Sequence, residues 1–161
     1  MSMYNCANYG NINSTNNSAC GLCAFADASK YFNCYNVGDF KHWGLASGNS
    51  SGSATNCYSA GVSKLNSTTS RTGILLVNGA ILTNCYYLDG IKGTTNITPE
   101  TGATVFYKTS DDSEAMTSAK VVQALNDYID AHLEDEDTAT NTSTWLRWQV
   151  GAKGLPELIF E

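Results

Sequence analysis

Six cysteines and two histidines are the residues of this 161-residue chain whose types could do chemistry. Thiolates and imidazoles bind zinc, and an even number of cysteines is typical of a disulfide framework. Cys20-Gly-Leu-Cys23 has the spacing of a metal or redox pair, but the chain has no second such pair, and His42 and His132 are its only imidazoles. Two ligands do not make a structural zinc site, so we predict no metal and no cofactor.

The other four cysteines belong to a repeated pair. Asn-Cys recurs at intervals of 28, 23 and 28 residues, at Asn5-Cys6, Asn33-Cys34, Asn56-Cys57 and Asn84-Cys85. This recurrence is typical of a solenoid, in which each repeat buries its apolar face against its neighbours. We predict that Cys6, Cys34, Cys57 and Cys85 stay reduced and stack as small buried residues. Disulfide bonds are the alternative.

A second motif lies between the Asn-Cys pairs. Gly21-Leu22, Gly44-Leu45 and Gly73-Ile74 precede the next pair by eleven or twelve residues. One coil therefore contains at least two short strands, and successive coils should stack about 4.8 Å apart. The polar segments of variable length between the motifs are predicted loops.

The types of residue in the Asn-Cys-Tyr-Asn-x-Gly unit indicate what each position does. Asparagine can satisfy the backbone at a bend and bond to the asparagine of the next coil. The glycine four residues after cysteine permits a turn with positive φ. If cysteine points inward, strand alternation sends Tyr35, Tyr58 and Tyr86 outward as an aromatic ladder. These three tyrosines are the predicted ligand-binding residues.

The alternation of the Gly-Leu and Asn-Cys-Tyr elements resembles the GLUG-type repeats of large bacterial surface proteins, found alongside IgA-cleaving metallopeptidases and in gut-bacterial adhesins. The resemblance covers roughly residues 5–160 and includes the way such arrays end, with Ala115-Met116-Thr117, Trp145 and Leu155-Pro156. It implies an extracellular location at the bacterial cell surface. Ala7 in place of the repeated tyrosine and Asp89 in place of glycine are departures that leave the coil boundaries open.

These observations predict a mainly β fold in two parts. Residues 1–92 are expected to form a right- or left-handed parallel β-helix of about four coils, and residues 93–161 a connector, a helix over roughly 117–134 and a hairpin around 151–154. The apolar stripe of that helix is Val121, Val122, Leu125, Tyr128, Ile129 and Leu133. A solenoid end exposes strand edges, so we predict that the second part caps the last coil, with Arg147 stacked on the tryptophans.

Charge and hydropathy exclude some partners. The net charge is −6, and residues 93–161 hold twelve of the fifteen carboxylates. No basic patch of the kind that binds phosphate backbones is present, and no run of 18 apolar residues occurs, so we predict no nucleic acid and no membrane insertion. The start at Met1, close to the first Asn-Cys pair, predicts a piece of a longer protein whose targeting and anchor segments lie elsewhere.

Catalysis is disfavoured because Asp27, Asp39 and Asp89 are the only carboxylates of residues 1–92 and do not cluster in sequence. A β-helix enzyme acting on polysaccharides would need clustered carboxylates. The favoured hypothesis is a non-catalytic structural or adhesive segment that contacts neighbouring repeats of the same chain. The alternative is a module that binds a host or bacterial surface glycan or glycoprotein through Tyr35, Tyr58 and Tyr86.

Overall fold

A computed structural model describes residues 1–15, 19–23, 28–41, 43–47, 52–64, 75–76, 81–90, 102–137 and 140–160. The chain divides into two compact units, Met1–Val105 and Phe106–Glu161. The fold is mainly β, with parallel sheets and one helix. None of the helices in the described residues has the length and apolar character that crossing a bilayer requires.

The first unit holds a sheet made from the three residues that precede each Asn-Cys pair. Its four parallel strands, in sheet order, are β1 (Ser2–Tyr4), β3 (Lys30–Phe32), β6 (Ser53–Thr55) and β9 (Ile81–Thr83). Paired residues are offset by the same 28, 23 and 28 positions as the Asn-Cys pairs. The central residues of the strands, Tyr31 and Ala54 among them, face the apolar core. The interval between Asn-Cys pairs in the sequence is thus the same as the interval between residues that pair in neighbouring strands.

A second sheet follows each Asn-Cys bend. Its strands are β2 (Ala7–Asn8), β4 (Tyr35–Asn36), β7 (Tyr58–Ser59), β10 (Cys85–Leu88) and β11 (Ala103–Phe106). The first four pair in parallel, and the register places Tyr58 between Tyr35 and Tyr86. The last strand lies beside β10.

The Gly-Leu motif also forms parallel pairs. Strand β5 (Ala46–Ser47) pairs with β8 (Leu75–Leu76), and a bridge between Cys23 and Ala46 extends the row to the first Gly-Leu element. A further bridge joins Phe40 to Ser63. Each repeat therefore contributes short strands at several positions, as the two-motif pattern predicts.

Tight bends separate the strands before and after each Asn-Cys pair, and asparagine carries the strained conformation. Asn5, Asn33, Asn56 and Asn84 have φ of 52°, 55°, 58° and 50°. Asparagine tolerates this left-handed region better than other residues with a side chain. The glycines four residues after cysteine were predicted to supply positive φ, and that prediction is wrong: the described glycines with positive φ are Gly90, Gly102 and Gly154.

Those glycines are needed for space instead. A Cβ built on Gly38 would lie 2.1 Å from the Gly10 carbonyl oxygen, and one on Gly61 would lie 1.8 Å from the Gly38 carbonyl oxygen. Any side chain there would collide with the backbone of the preceding repeat. Gly21 meets the same limit, since its Cβ would lie 2.0 Å from the Gly44 carbonyl oxygen.

The second unit contains helix α1 (Ser118–Ala131) and the antiparallel hairpin β12 (Trp148–Val150) and β13 (Pro156–Leu158). The helix and the hairpin around 151–154 are as predicted. The helix begins only at Ser118 because Tyr107 forms a bridge with Thr117 and holds it in an extended conformation. It ends at Ala131, so Leu133 lies beyond it and is exposed instead of completing the apolar stripe.

Polar contacts join the helix to the hairpin. The Asn126 amide donates to the Trp148 carbonyl at 3.0 Å and accepts from the Trp148 N–H at 2.9 Å. Ser118 Oγ donates to the Gly154 carbonyl at 2.8 Å. The Arg147 guanidinium, expected to stack on tryptophan, instead forms a two-pronged ion pair with the Asp130 carboxylate. Val121, Leu125 and Ile129 are buried as the apolar face of the helix.

Substitution of alanine for Gly61 should destabilise the first unit by about 2 kcal/mol or more, because overpacking a filled site typically costs 1–3 kcal/mol. Gly10→Ala is the matched control: it changes the same repeat position, but its Cβ would meet nothing nearer than 3.6 Å. Denaturant unfolding measures both variants. Equal stability of the two variants would contradict the close approach of the glycine carbonyls.

Candidate functional site

The bends of the four repeats are joined by a row of side-chain amides, here called the asparagine row (Asn5, Asn33, Asn56 and Asn84). Asn33 Nδ2 donates to Asn5 Oδ1 at 2.7 Å, Asn56 Nδ2 to Asn33 Oδ1 at 2.8 Å, and Asn84 Nδ2 to Asn56 Oδ1 at 2.6 Å. Asn33 and Asn56 are completely buried. An amide suits this position because it carries both a donor and an acceptor and so can bond to repeats on both sides.

Backbone bonds fix the same bends. The N–H groups of Asn5, Asn33 and Asn56 donate to the carbonyls of Phe32, Thr55 and Thr83, each in the following repeat, at 2.9–3.1 Å. A buried N–H without a partner would cost free energy comparable to a lost hydrogen bond. The bend is thereby held through both its main chain and its side chain.

A second amide contact explains the Asn-x-Gly part of the unit. Asn8 Nδ2 donates to Asn36 Oδ1 at 2.7 Å and to the Gly10 carbonyl at 2.8 Å, and Asn36 Nδ2 donates to the Gly38 carbonyl at 2.8 Å. The asparagine therefore holds the turn of its own repeat while touching the next. In the third repeat Ser59 takes this position, and its buried hydroxyl has no hydrogen-bond partner among the described residues.

The repeated cysteines lie beside the asparagine row and pack into the apolar core. Cys34, Cys57 and Cys85 are at most 2% exposed, and Cys6 is half-buried against the same core. The thiols of Cys34, Cys57 and Cys85 donate to carbonyls two residues earlier, at 3.1–3.4 Å. Burial raises the pKa of the Cys57 thiol well above its usual value. Such a thiol is a weak nucleophile, because the thiolate is the reactive form.

All six cysteines are free thiols in the structure. Cys20 is buried and Cys23 half-buried, and no group of three metal-binding side chains occurs among the described residues. His42 lies outside the described residues. The other imidazole, that of His132, bonds to Asp135 at 2.8 Å in the second unit, at the end of the helix.

The structure corrects the predicted exposure of the tyrosines. Tyr35 and Tyr58 are 0% exposed and Tyr86 is 6% exposed. The Tyr35 and Tyr58 rings stack with centroids 5.2 Å apart, and the Tyr9 ring packs edge-on against Tyr35. In an in-register parallel sheet the ring faces meet their equivalents in the next repeat, so those faces are not open to a sugar ring.

The tyrosine hydroxyls are also engaged. Tyr35 Oη bonds to Tyr9 Oη, and Tyr86 Oη donates to Asn84 Oδ1 at 2.6 Å. Burial raises the pKa of Tyr86. These contacts make the tyrosines part of the packed interior, whereas Tyr9 in the first repeat is 55% exposed.

The two carboxylates of the repeats that lie in the described residues, Asp39 and Asp89, have different surroundings. Asp39 Oδ1 accepts the Val62 N–H at 3.0 Å, and its other oxygen pairs with Lys64 Nζ at 3.0 Å. Partial burial opposes ionisation, but these two partners outweigh it and lower the pKa of Asp39. Asp89 is exposed at the end of β10, and Asp27 lies outside the described residues.

An open groove of about 320 Å³ lies on the first unit, and sequence reasoning missed it. Its lining, here called the lysine groove, is Ile12, Asn13, Ser14, Thr15, Lys41 and Lys64. Lys41 and Lys64 are 23 residues apart, the same interval as Asn33 and Asn56. The repeat interval is therefore a signal in the sequence that could have identified the two lysines as neighbours.

Comparison with known proteins gives no relative: no family model, no curated protein and no solved structure matches this chain.

Glycine in place of Asn56 should cost about 2–4 kcal/mol, since it keeps the left-handed backbone accessible but removes two buried amide bonds, each worth about 1–3 kcal/mol when its partner is left unsatisfied. Asn5→Gly is the control, because Asn5 accepts one bond within the asparagine row, from Asn33, and lies at its half-buried end. Denaturant unfolding compares the two. If Asn5→Gly cost as much as Asn56→Gly, the amide bonds would not be the source of stability.

Alkylation of the native protein should label Cys6 and Cys23 first and spare Cys34 and Cys57, because a fully buried thiol must open locally before it reacts. Peptide mass spectrometry after timed labelling measures the labelled fraction of each cysteine. In denaturant without reductant, all six thiols should titrate. Disulfide-linked peptides between successive repeats would show that the cysteines are bridges.

Proposed function

We propose that residues 1–105 form a β-solenoid of about four coils that serves as a non-catalytic structural or adhesive segment of a bacterial surface protein of the GLUG-repeat type. The observation that carries this proposal is the asparagine row, in which each buried amide bonds to its equivalent in the next repeat. Identical side chains stacked in register are typical of architectures in which each unit contacts only its neighbours.

Other rows support the same architecture. The cysteines, the glycine carbonyls and the two parallel sheets all follow the same repeat intervals. Two repeats of 28 residues and one of 23 keep this alignment, so the difference in length falls in the connecting segments. A stack with fixed bends and variable loops is suited to act as a spacer or to present loops to a partner.

We propose no catalytic role for the repeats, because three of the groups that could do chemistry, Asp39, Cys34 and Cys57, are already committed to structure. Asp39 is held by the Val62 N–H and the Lys64 ammonium. The Cys34 and Cys57 thiols are buried and hydrogen-bonded. The alternative, a glycan-binding module built on Tyr35, Tyr58 and Tyr86, loses its support because those rings are buried.

The second unit, Phe106–Glu161, is assigned the role of a cap in this proposal. It follows the last repeat in the chain, and it has its own helix and hairpin joined by Asn126 and Ser118. An array of this kind needs a terminal element to cover its open apolar end. An extracellular location at the bacterial surface belongs to the same proposal.

Removing one whole repeat should leave a folded protein. Deletion of residues 34–56 joins Asn33 to Cys57, restores an Asn-Cys pair and shortens each row by one member. Because repeat stacks gain stability from neighbour contacts, the shortened chain should still unfold cooperatively, at a lower midpoint than the parent. Circular dichroism and denaturant unfolding are the measurements.

Deletion of residues 34–55 is the matched control, since it leaves one extra residue between the strands. A one-residue slip moves side chains to the opposite face of a strand, so this variant should be much less stable or unfolded. Failure of the 34–56 deletion to fold, or equal stability of the two variants, would contradict the proposed solenoid.

A further inference from the structure

We propose that the lysine groove of the first unit binds an acidic saccharide, meaning a hydroxylated ring that carries a carboxylate or sulfate group. This inference names a class of ligand for the adhesive role proposed above. Only its biological interpretation rests on that role. Its experiment measures ligand binding by the folded chain, whereas the deletion experiment measures folding. Failure of one is therefore distinguishable from failure of the other.

The backbone register brings two lysines of neighbouring repeats into the lining of the groove. Phe40 pairs in parallel with Ser63, Ser63 Oγ donates to the Lys41 carbonyl at 3.0 Å, and the Lys64 N–H donates to the Phe40 carbonyl at 2.7 Å. Lys41 and Lys64 therefore directly follow the two residues of this bridge, at equivalent positions of neighbouring repeats. Two like charges that line one groove repel each other.

The charge of this pair is only partly compensated. Asp39 pairs with Lys64, and among the described residues no carboxylate forms an ion pair with Lys41. Residues 1–92 also carry five Lys and Arg against three Asp and Glu, in a chain whose overall charge is −6. An anion beside Lys41 would relieve the repulsion and gain charge-assisted hydrogen bonds.

The rest of the lining matches a hydroxylated ring rather than a bare ion. Asn13, Ser14 and Thr15 bring an amide and two hydroxyls, which can both donate and accept hydrogen bonds. Ile12 adds an apolar side chain against which the C–H face of a sugar can pack. The volume of about 320 Å³ lies within the range of small-molecule sites, which runs from roughly 300 to 1,000 Å³.

Lysine does not distinguish a carboxylate from a sulfate by geometry, because its ammonium is a compact point charge rather than a planar fork. The shared chemistry of the ligand is therefore one acidic group on a ring with free hydroxyls. Both acidic classes are tested, with a neutral sugar and a bare carboxylate as the comparison.

The experiment follows the amide spectrum of the ¹⁵N-labelled chain during titration with methyl glucuronide, glucose 6-sulfate, methyl glucoside and sodium acetate. We expect saturable shifts at Ile12, Asn13 and Lys41 with at least one acidic sugar, and dissociation constants at least about tenfold weaker for the glucoside and acetate. Equal binding of the glucoside, equal binding of acetate, or no saturable binding of either acidic sugar would overturn the proposal.

Two variants distinguish binding in the lysine groove from nonspecific attraction of an anion to positive charge. Lys41→Gln should raise the dissociation constant of the acidic sugar by about tenfold or more, in line with the loss of one charge-assisted hydrogen bond. Lys30→Gln, on an exposed residue of β3 outside the groove, should leave affinity unchanged. Thermal unfolding verifies that both variants are folded. The same affinity for Lys41→Gln and the parent, or the same loss with Lys30→Gln, would overturn the site.

Discussion

The hydrogen bond between side-chain amides of successive repeats is the interaction on which the first unit depends. It is formed at the bend of each repeat where asparagine takes up a left-handed backbone conformation, with φ between 50° and 58°. A residue at this bend must tolerate positive φ and must satisfy buried polar groups on both sides. Asparagine meets both demands, whereas glycine meets only the first and glutamine only the second. The parallel strands on either side of the bend are then brought into register by the same contact.

The remaining residues of the unit follow from the close spacing of the repeats. Carbonyl groups of one repeat lie so near the next that Gly38 and Gly61 have no room for a Cβ. Next to the asparagine, cysteine is small, apolar and able to donate weakly from sulfur to a carbonyl of its own bend. The motif Asn-Cys-Tyr-Asn-x-Gly is thus explained by packing and by backbone bonding, and its chemistry-bearing sulfur is part of the interior.

Sequence reasoning predicted the strands and their partners because the interval between Asn-Cys pairs is itself the register. It failed for Tyr35 and Tyr58, since alternation between two faces applies to regular strands and not to two-residue strands that flank a sharp bend. It also placed positive φ on glycine instead of asparagine, because both residue types favour that region and composition alone does not separate them. The lysine groove depends on two residues that are ordinary in sequence and adjacent only through the register, so a search for clustered motifs passes over it.

The asparagine row has a direction. In each of its three bonds an Nδ2 group donates to the Oδ1 of the preceding repeat, so the amide dipoles add along the stack instead of cancelling. At Asn84 the row ends on an acceptor, and the hydroxyl of Tyr86, two residues later, donates to it. The terminal oxygen is thereby satisfied from within its own repeat. Deamidation of Asn33, Asn56 or Asn84 would place an acceptor-only carboxylate against the Oδ1 of the preceding asparagine, so chemical ageing at one amide would interrupt the polarised chain.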